Sequence, residues 1–159
     1  MDQERIPIRT VKKMKQKFID AYMKVAETFA NLSTAKRLQV GAIVVKDDRI
    51  ISIGYNGMPT GWDNCCEDVV SIPHWADSVD DIPEQDKHIY VEYKSKPEVL
   101  HAESNAIAKL AKSPESGEGA SIFITHSPCI DCAKLIYQSG IATVYYKNAY
   151  RSTQGLDFL

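Results

Sequence analysis

The chain has 159 residues, a charged fraction of 25% and a formal net charge of −2. This length leaves little room for a second core, so we predict a single domain over residues 1–159. The near-neutral charge argues against a nucleic acid as partner, because polynucleotide-binding proteins usually carry a basic face. No apolar run of about 20 residues is present, which argues against a membrane segment. The first residues lack signal-peptide character, so we predict a cytoplasmic protein.

The first predicted elements are a helix and a β-hairpin. From Val11 to Asn31, apolar residues recur at steps of three and four and form one face of an amphipathic helix. They are Val11, Met14, Phe18, Tyr22, Val25 and Phe29. Two short apolar runs follow, Val40–Val45 and Arg49–Tyr55. The pair Asp47-Asp48 between them predicts a hairpin turn.

The segment from Trp62 to Leu100 lacks this regular pattern. It contains Pro73, Pro83 and Pro97 and many acidic residues. Long irregular segments inside compact domains tend to be functional. We therefore interpret residues 62–100 as an insertion, with a short strand at His88–Tyr93.

Regular structure resumes after this insertion. We predict a helix at Ala102–Lys112, a strand at Ser121–Thr125, a helix at Cys129–Ser139 that ends before a glycine, and a strand at Ile141–Lys147. The order α-β-β-(insertion)-α-β-α-β predicts an α/β fold. We expect a three-layer α/β/α sandwich, in which helices cover both faces of a central mixed sheet.

Two short segments at the starts of these helices carry candidate metal ligands. Cys129 and Cys132 are three residues apart, so their sulfurs lie on one helix face, and a helix N-terminus favours the thiolate form. His101 supplies a nitrogen from the other helix. One imidazole and two thiolates suit zinc and leave a fourth position for water, as in catalytic zinc sites.

Glu103 lies two residues after the candidate ligand His101 and is a candidate proton shuttle between the water and the substrate. The pattern H-x-E followed by P-C-x-x-C is typical of zinc deaminases, and both halves occur here in order. Each feature has an alternative interpretation. The metal site could be a structural zinc site in which His126 is the fourth ligand, and Glu103 could serve only to complement the helix dipole. A structural site would have no use for Glu103, so we favour the catalytic interpretation.

These motifs resemble the cytidine deaminase superfamily, and the longer context looks like the deoxycytidylate deaminases of bacteria, phages and animals. The matching segments are residues 40–44, 54–59, 101–107, 127–134 and 138–141. The resemblance implies a cytidine deaminase-like fold, one catalytic Zn²⁺ per chain, and hydrolysis of dCMP to dUMP and ammonia. The dUMP would supply thymidylate synthesis.

The resemblance also implies substrate-binding residues. Ser33 and Arg37 match the turn that holds the 5′-phosphate, with a hydroxyl donor and a planar fork. Asn56 matches the asparagine that contacts sugar and base, and Tyr150 and Arg151 match a pair that packs on the nucleotide. From the residues alone, Ser33 also suits a helix cap, Asn56 a turn, and the arginines solvated positions.

Regulation and assembly come from the resemblance alone. It implies activation by dCTP and inhibition by dTTP, with Mg²⁺ accompanying the triphosphate, at a loop that includes Gly57, Gly61 and Asn64. An ordinary turn would use the same residue types. It also implies a homo-oligomer, a hexamer. Some phage members bind a second zinc in the insertion, for which the candidates are Cys65, Cys66, His74 and His88; free side chains are the alternative.

Three other functions remain open from the sequence. A tRNA adenosine deaminase shares the zinc motif but should show a basic face. A nucleoside cytidine deaminase would not need phosphate ligands. A non-catalytic zinc-stabilised binding module would not need Glu103.

Overall fold

The computed structural model describes residues 3–10 and 13–159. The strands are β1 (Glu4–Pro7), β2 (Gly41–Lys46), β3 (Arg49–Tyr55), β4 (Glu67–Ser71), β5 (Glu92–Ser95), β6 (Ser121–His126) and β7 (Thr143–Asn148). The α-helices are α1 (Gln16–Ala30), α2 (Lys87–Tyr90), α3 (Ala102–Leu110), α4 (Ile130–Gln138) and α5 (Gln154–Phe158).

Five strands form a central sheet in the order β1-β7-β6-β2-β3. β6 and β7 are parallel, and the other neighbours are antiparallel. The centre of this sheet is apolar on both faces: along β2, Ile43 packs on the α1 side, whereas Ala42 and Val44 pack on the side of α3 and α4. The predicted α/β/α sandwich with a mixed sheet is therefore confirmed.

The hairpin between β2 and β3 is also confirmed. Asp47 and Asp48 have φ values of 50° and 57°, and Lys46 pairs with Arg49. Positive φ at both central residues is the geometry of a type I′ turn, whose twist suits a two-residue hairpin. This turn and a one-residue register shift between Val44 and Val45 together bring Gly54 opposite Ala42.

The first helix differs from the prediction in its start and in its buried face. It begins at Gln16; the predicted start, Val11, lies outside the described residues. The residues buried on its inner face are Ile19, Met23, Ala26 and Ala30. Phe18 is exposed, whereas Tyr22, Val25 and Phe29 pack at the edge of the core. Large side chains dominated the sequence pattern, but the helix approaches the sheet through its small alanines.

The insertion contains more regular structure than the sequence indicates. β4 and β5 form a separate two-stranded antiparallel sheet, and Ala76, Ile82 and Val91 form a small core beside it. The predicted strand at His88–Tyr93 is wrong in position, because Lys87–Tyr90 is helical and the strand begins at Glu92. Short β1, β4 and α5 were not predicted. The single domain over residues 1–159 stays a prediction.

Among the residues that the structure describes, no helix is both long enough and apolar enough to span a bilayer.

Candidate active site

The N-termini of α3 and α4 bring the three candidate ligands together. His101 is the N-cap of α3 and Cys129 is the N-cap of α4, both with extended backbone, and Cys132 lies on the first turn of α4. The Nδ1 atom of His101 lies 3.5 Å from the Cys129 sulfur and 3.4 Å from the Cys132 sulfur. All three ligand atoms lie within 4.8 Å of one another.

These distances match those between the ligands of a tetrahedral zinc ion. With Zn–N near 2.1 Å and Zn–S near 2.3 Å, two such ligands are about 3.5 Å apart. One imidazole and two thiols also form a donor set that zinc prefers. The three residues therefore fit zinc as its protein ligands, and three ligands leave one coordination position open.

The pKa values of the two thiols, Cys129 and Cys132, are shifted in opposite directions. Hydrogen bonding with Cys132 and with His101 lowers the pKa of Cys129 to about 4. The same contact with Cys129, together with burial, raises the pKa of Cys132. Zinc ligation requires thiolates, so metal binding here releases the proton that Cys132 retains.

Glu103 is a buried carboxyl group on the first turn of α3, next to this donor set. Its side chain is only 4% exposed. Burial raises its pKa to about 7, although a backbone hydrogen bond and His101 partly oppose this shift. A group with a pKa near neutrality can both accept and release protons during a reaction. This position and pKa suit the predicted role in proton transfer.

A glycine contact supports each half of the metal site. Gly54 on β3 lies directly under the α3 backbone, where a Cβ would collide with the Ala102 carbonyl oxygen. Gly155 on α5 lies against the loop before α4, where a Cβ would collide with the Pro128 carbonyl oxygen. Only glycine allows such close backbone approach, so these contacts fix the positions of the two ligand-bearing turns.

Two of the three candidate metal ligands open onto a cavity of about 530 Å³, a size typical of small-molecule sites. Its wall includes His101, Glu103 and Cys129 together with four of the predicted substrate residues, Arg37, Asn56, Tyr150 and Arg151. The structure thus brings segments distant in sequence to one site.

Other predicted residues lie away from the cavity wall. Ser33 is buried, and its hydroxyl accepts the Ala35 backbone N–H at 3.2 Å. Gly57, Gly61 and Asn64 lie on the loop after β3 and do not line the cavity. The loop is nevertheless close to the predicted phosphate-binding turn of Ser33 and Arg37, since the Thr34 hydroxyl donates to the Asn64 carbonyl at 3.0 Å.

Asn56 is engaged by the backbone around residues 38–40. Its Oδ1 accepts the Val40 N–H and its Nδ2 donates to the Leu38 carbonyl, both at 2.8 Å. An amide has four hydrogen-bonding capacities, so one lone pair and one N–H remain for a ligand.

Several residues of the cavity wall were not predicted from the sequence, among them Glu67, Ser95 and Lys96 from the insertion. His126 also lines the cavity, but it does not join the ligand group and its ring contacts the Thr125 hydroxyl. Irregular composition in residues 62–100 was the only available signal for the insertion residues, and it could not single out individual side chains.

The candidate second zinc group does not assemble in the described part of the chain, where the ligand group is formed by His101, Cys129 and Cys132. The Cys65 sulfur contacts the Glu67 carbonyl oxygen at 3.2 Å, and the Cys66 sulfur contacts the Thr34 hydroxyl at 3.4 Å. Both cysteines are free thiols.

Comparison with known proteins agrees with this site. Residues 16–148 match the family described as the cytidine and deoxycytidylate deaminase zinc-binding region. ComE operon protein 2 of Bacillus subtilis is 37% identical over 133 residues, covering 82% of this chain and 59% of that protein. The deoxycytidylate deaminase of Enterobacteria phage T4 is 39% identical over 132 residues, covering 70% of this chain and 68% of that protein.

A solved structure is also similar over nearly the whole chain. The dCMP deaminase of cyanophage S-TIM5, in complex with dCMP and dUMP, superposes with a TM-score of 0.74 at 44% identity, covering 92% of this chain and 93% of that one. The fold and the ligand set define a zinc-binding enzyme of the cytidine deaminase class. Within that class, the chain belongs to the cytidine and deoxycytidylate deaminase family.

Proposed function

We propose that this chain hydrolyses dCMP to dUMP and ammonia and so supplies dUMP for thymidylate synthesis. The observation that carries the proposal is one cavity lined both by His101, Cys129 and the buried Glu103 and by Arg37 and Arg151. The first group suits deamination of a base, and the arginines suit a phosphate. The names of the phage T4 and S-TIM5 relatives support the same substrate.

The candidate zinc ligands and Glu103 have separate roles in the proposed reaction. His101, Cys129 and Cys132 would hold the zinc, which when bound supplies an activated water as nucleophile at neutral pH. Glu103 takes one proton from the attacking water and delivers it to the ring nitrogen; it then takes the second proton from the hydroxyl added to the ring carbon and passes it to the leaving amino group, so that ammonia departs as the carbonyl forms. The burial of Glu103 limits its contact with bulk water.

The substrate residues orient the nucleotide. Arg37 and Arg151 offer guanidinium forks to the phosphate, whereas Ser33, which does not line the cavity, would support the same turn by accepting the Ala35 N–H. Asn56 offers its remaining amide groups to the sugar or base, and the Tyr150 ring, which the Arg151 guanidinium faces at 5.6 Å, packs beside the nucleotide.

The test is to compare ammonia release from dCMP, deoxycytidine and cytidine. We expect kcat/KM for dCMP to exceed that for deoxycytidine, and Arg37→Ala to lower the dCMP value alone. A charge-assisted phosphate contact contributes about 2–4 kcal/mol, so its loss should lower kcat/KM for dCMP by roughly 30- to 900-fold. Equal rates on dCMP and deoxycytidine would favour a nucleoside deaminase instead.

We also propose that the loop of Gly57, Gly61 and Asn64 binds dCTP or dTTP with Mg²⁺. The Gly57 N–H and carbonyl pair with those of Leu100, the residue before the ligand His101. A ligand that shifts this loop would therefore act on the metal site through one backbone bridge, with a coupling of about 1–3 kcal/mol. The assay is dCMP turnover at low substrate with each triphosphate, beside Asn64→Ala. Unchanged rates for the native chain would leave this loop as an ordinary turn.

Two further proposals are a homo-oligomer, a hexamer, which rests on the family resemblance, and a cytoplasmic location, which is an expectation from the sequence. Sedimentation analysis of the zinc-loaded protein measures the first, and a monomer would contradict it.

A further inference from the structure

The insertion holds Arg37 at two separate points. The Glu67 carboxylate accepts the backbone N–H groups of Lys36 and Arg37 through Oε1, at 3.0 and 3.2 Å. The Ser95 hydroxyl accepts from Nη1 of the Arg37 guanidinium at 3.2 Å. Glu67 and Ser95 are directly opposite each other across the β4–β5 ladder. One cross-strand pair therefore contacts both the backbone and the side-chain end of the same arginine.

The burial of Glu67 needs a specific reason. Its side chain is only 6% exposed, and burying a carboxylate is unfavourable unless hydrogen bonds compensate. Two backbone N–H donors supply that compensation, and they come from the turn of Arg37. A third contact joins the same parts, because the Lys36 ammonium lies 5.1 Å from the centre of the Tyr93 ring on β5.

Both members of the pair also line the cavity, together with Arg37. Arg37 is an exposed residue, and fixing a long side chain before binding reduces the entropy lost when it meets a ligand. A carboxylate repels a nearby phosphate, so a direct contact between Glu67 and the phosphate would be unfavourable. The hydrogen bonds of Glu67 indicate that it acts on the backbone of the turn.

We propose that Glu67 and Ser95 are positioning residues that aim Arg37 at the substrate phosphate, so that the insertion determines the preference for a nucleotide over a nucleoside. This inference rests on the proposed function, because it requires Arg37 to bind the phosphate. It assigns no chemical step to either residue. Their effect should appear in the KM for dCMP and leave turnover of deoxycytidine unchanged.

The experiment compares Glu67→Ala, Glu67→Gln and Ser95→Ala in the zinc-loaded chain, on dCMP and on deoxycytidine. We expect Glu67→Ala and Ser95→Ala to raise the KM for dCMP about tenfold or more, with kcat and the deoxycytidine rate retained. Glu67→Gln keeps an acceptor oxygen and should restore most of the affinity. Glu92→Ala is the matched control, since Glu92 is an exposed acid on the same hairpin.

A double-mutant cycle separates positioning from general packing. If Ser95 acts through Arg37, Ser95→Ala should add nothing in the Arg37→Ala background. Additive losses, or equal losses on both substrates, would overturn the inference. Ser95 is exposed, so this variant remains informative even if Glu67→Ala does not fold.

The cycle also distinguishes the phosphate-binding role of Arg37 from the positioning role of Glu67 and Ser95. An Arg37→Ala variant with unchanged dCMP kinetics would remove the phosphate role of Arg37, and the inference would fail with it. An Arg37→Ala variant that loses dCMP affinity, beside Glu67→Ala and Ser95→Ala variants that retain it, would overturn the inference alone.

Discussion

The side chains of the metal site and those of the insertion at residues 62–100 are held in place by different parts of the fold. The candidate ligands lie at the N-termini of α3 and α4, and both helices pack on the central sheet. The insertion has a small core of Ala76, Ile82 and Val91, and it reaches the cavity through the edge of a two-stranded sheet. One region is supported by the main core, whereas the other depends on a few local contacts.

This difference matches the demands on each region. Metal ligation and proton transfer tolerate only small displacements, and sites supported by regular elements are the more exact. Recognition of a phosphate tolerates more, because a guanidinium fork adapts to its ligand. We therefore expect substitutions near the metal to abolish the reaction and substitutions in the insertion to alter substrate choice.

The largest expected effect is loss of the metal. Cys132→Ser should reduce bound zinc from one per chain to near zero and abolish dCMP turnover, because the buried thiolate is replaced by a weaker ligand. Metal analysis by mass spectrometry measures this directly. Cys65→Ser is the matched control, since Cys65 is exposed and lies outside the ligand group. A second equivalent of zinc lost on Cys65→Ser would mean that the insertion also holds a metal.

A smaller loss should follow from Glu103→Gln, which keeps the size of the side chain and removes its ability to carry a proton. We expect kcat to fall by about 10²–10⁴-fold while zinc content stays at the native level. Steady-state kinetics with parallel metal analysis checks both parts. If this variant retained native turnover, the proposed role of Glu103 in proton transfer would be contradicted.

The smallest effect on catalysis should come from the core of the insertion. Ile82 is 2% exposed, so Ile82→Ala should destabilise this segment by about 2–5 kcal/mol. Hydrogen exchange should then accelerate within residues 66–99, while the bound zinc is retained. Ile89→Ala offers a control, since Ile89 is 63% exposed in the same segment. Loss of zinc together with the insertion core would show that the two regions unfold as one unit.

The accuracy of the sequence-based predictions follows the same division. The sandwich and the close approach of His101, Cys129 and Cys132 were predictable because each depends on local spacing: helix starts, a two-residue turn and apolar strands. The roles of these residues and of Glu103 in the reaction stay predictions. Glu67 and Ser95 gave no such signal, since their importance arises from pairing across two strands that are 20 or more residues apart in the chain. The buried face of α1 was misplaced for another reason, since close packing favoured Ala26 and Ala30 over larger neighbours.

The backbone contacts at Gly54 and Gly155 have a consequence for how this sequence can diverge. Neither residue contributes a functional group, yet any side chain there would displace a turn that carries metal ligands. In a saturation-mutagenesis library scored by growth, most substitutions at Gly54 and Gly155 would therefore be deleterious, although neither residue takes part in the reaction. During evolutionary drift, the cavity wall is free to acquire new specificities, while these two silent positions restrict how far the reacting groups can move.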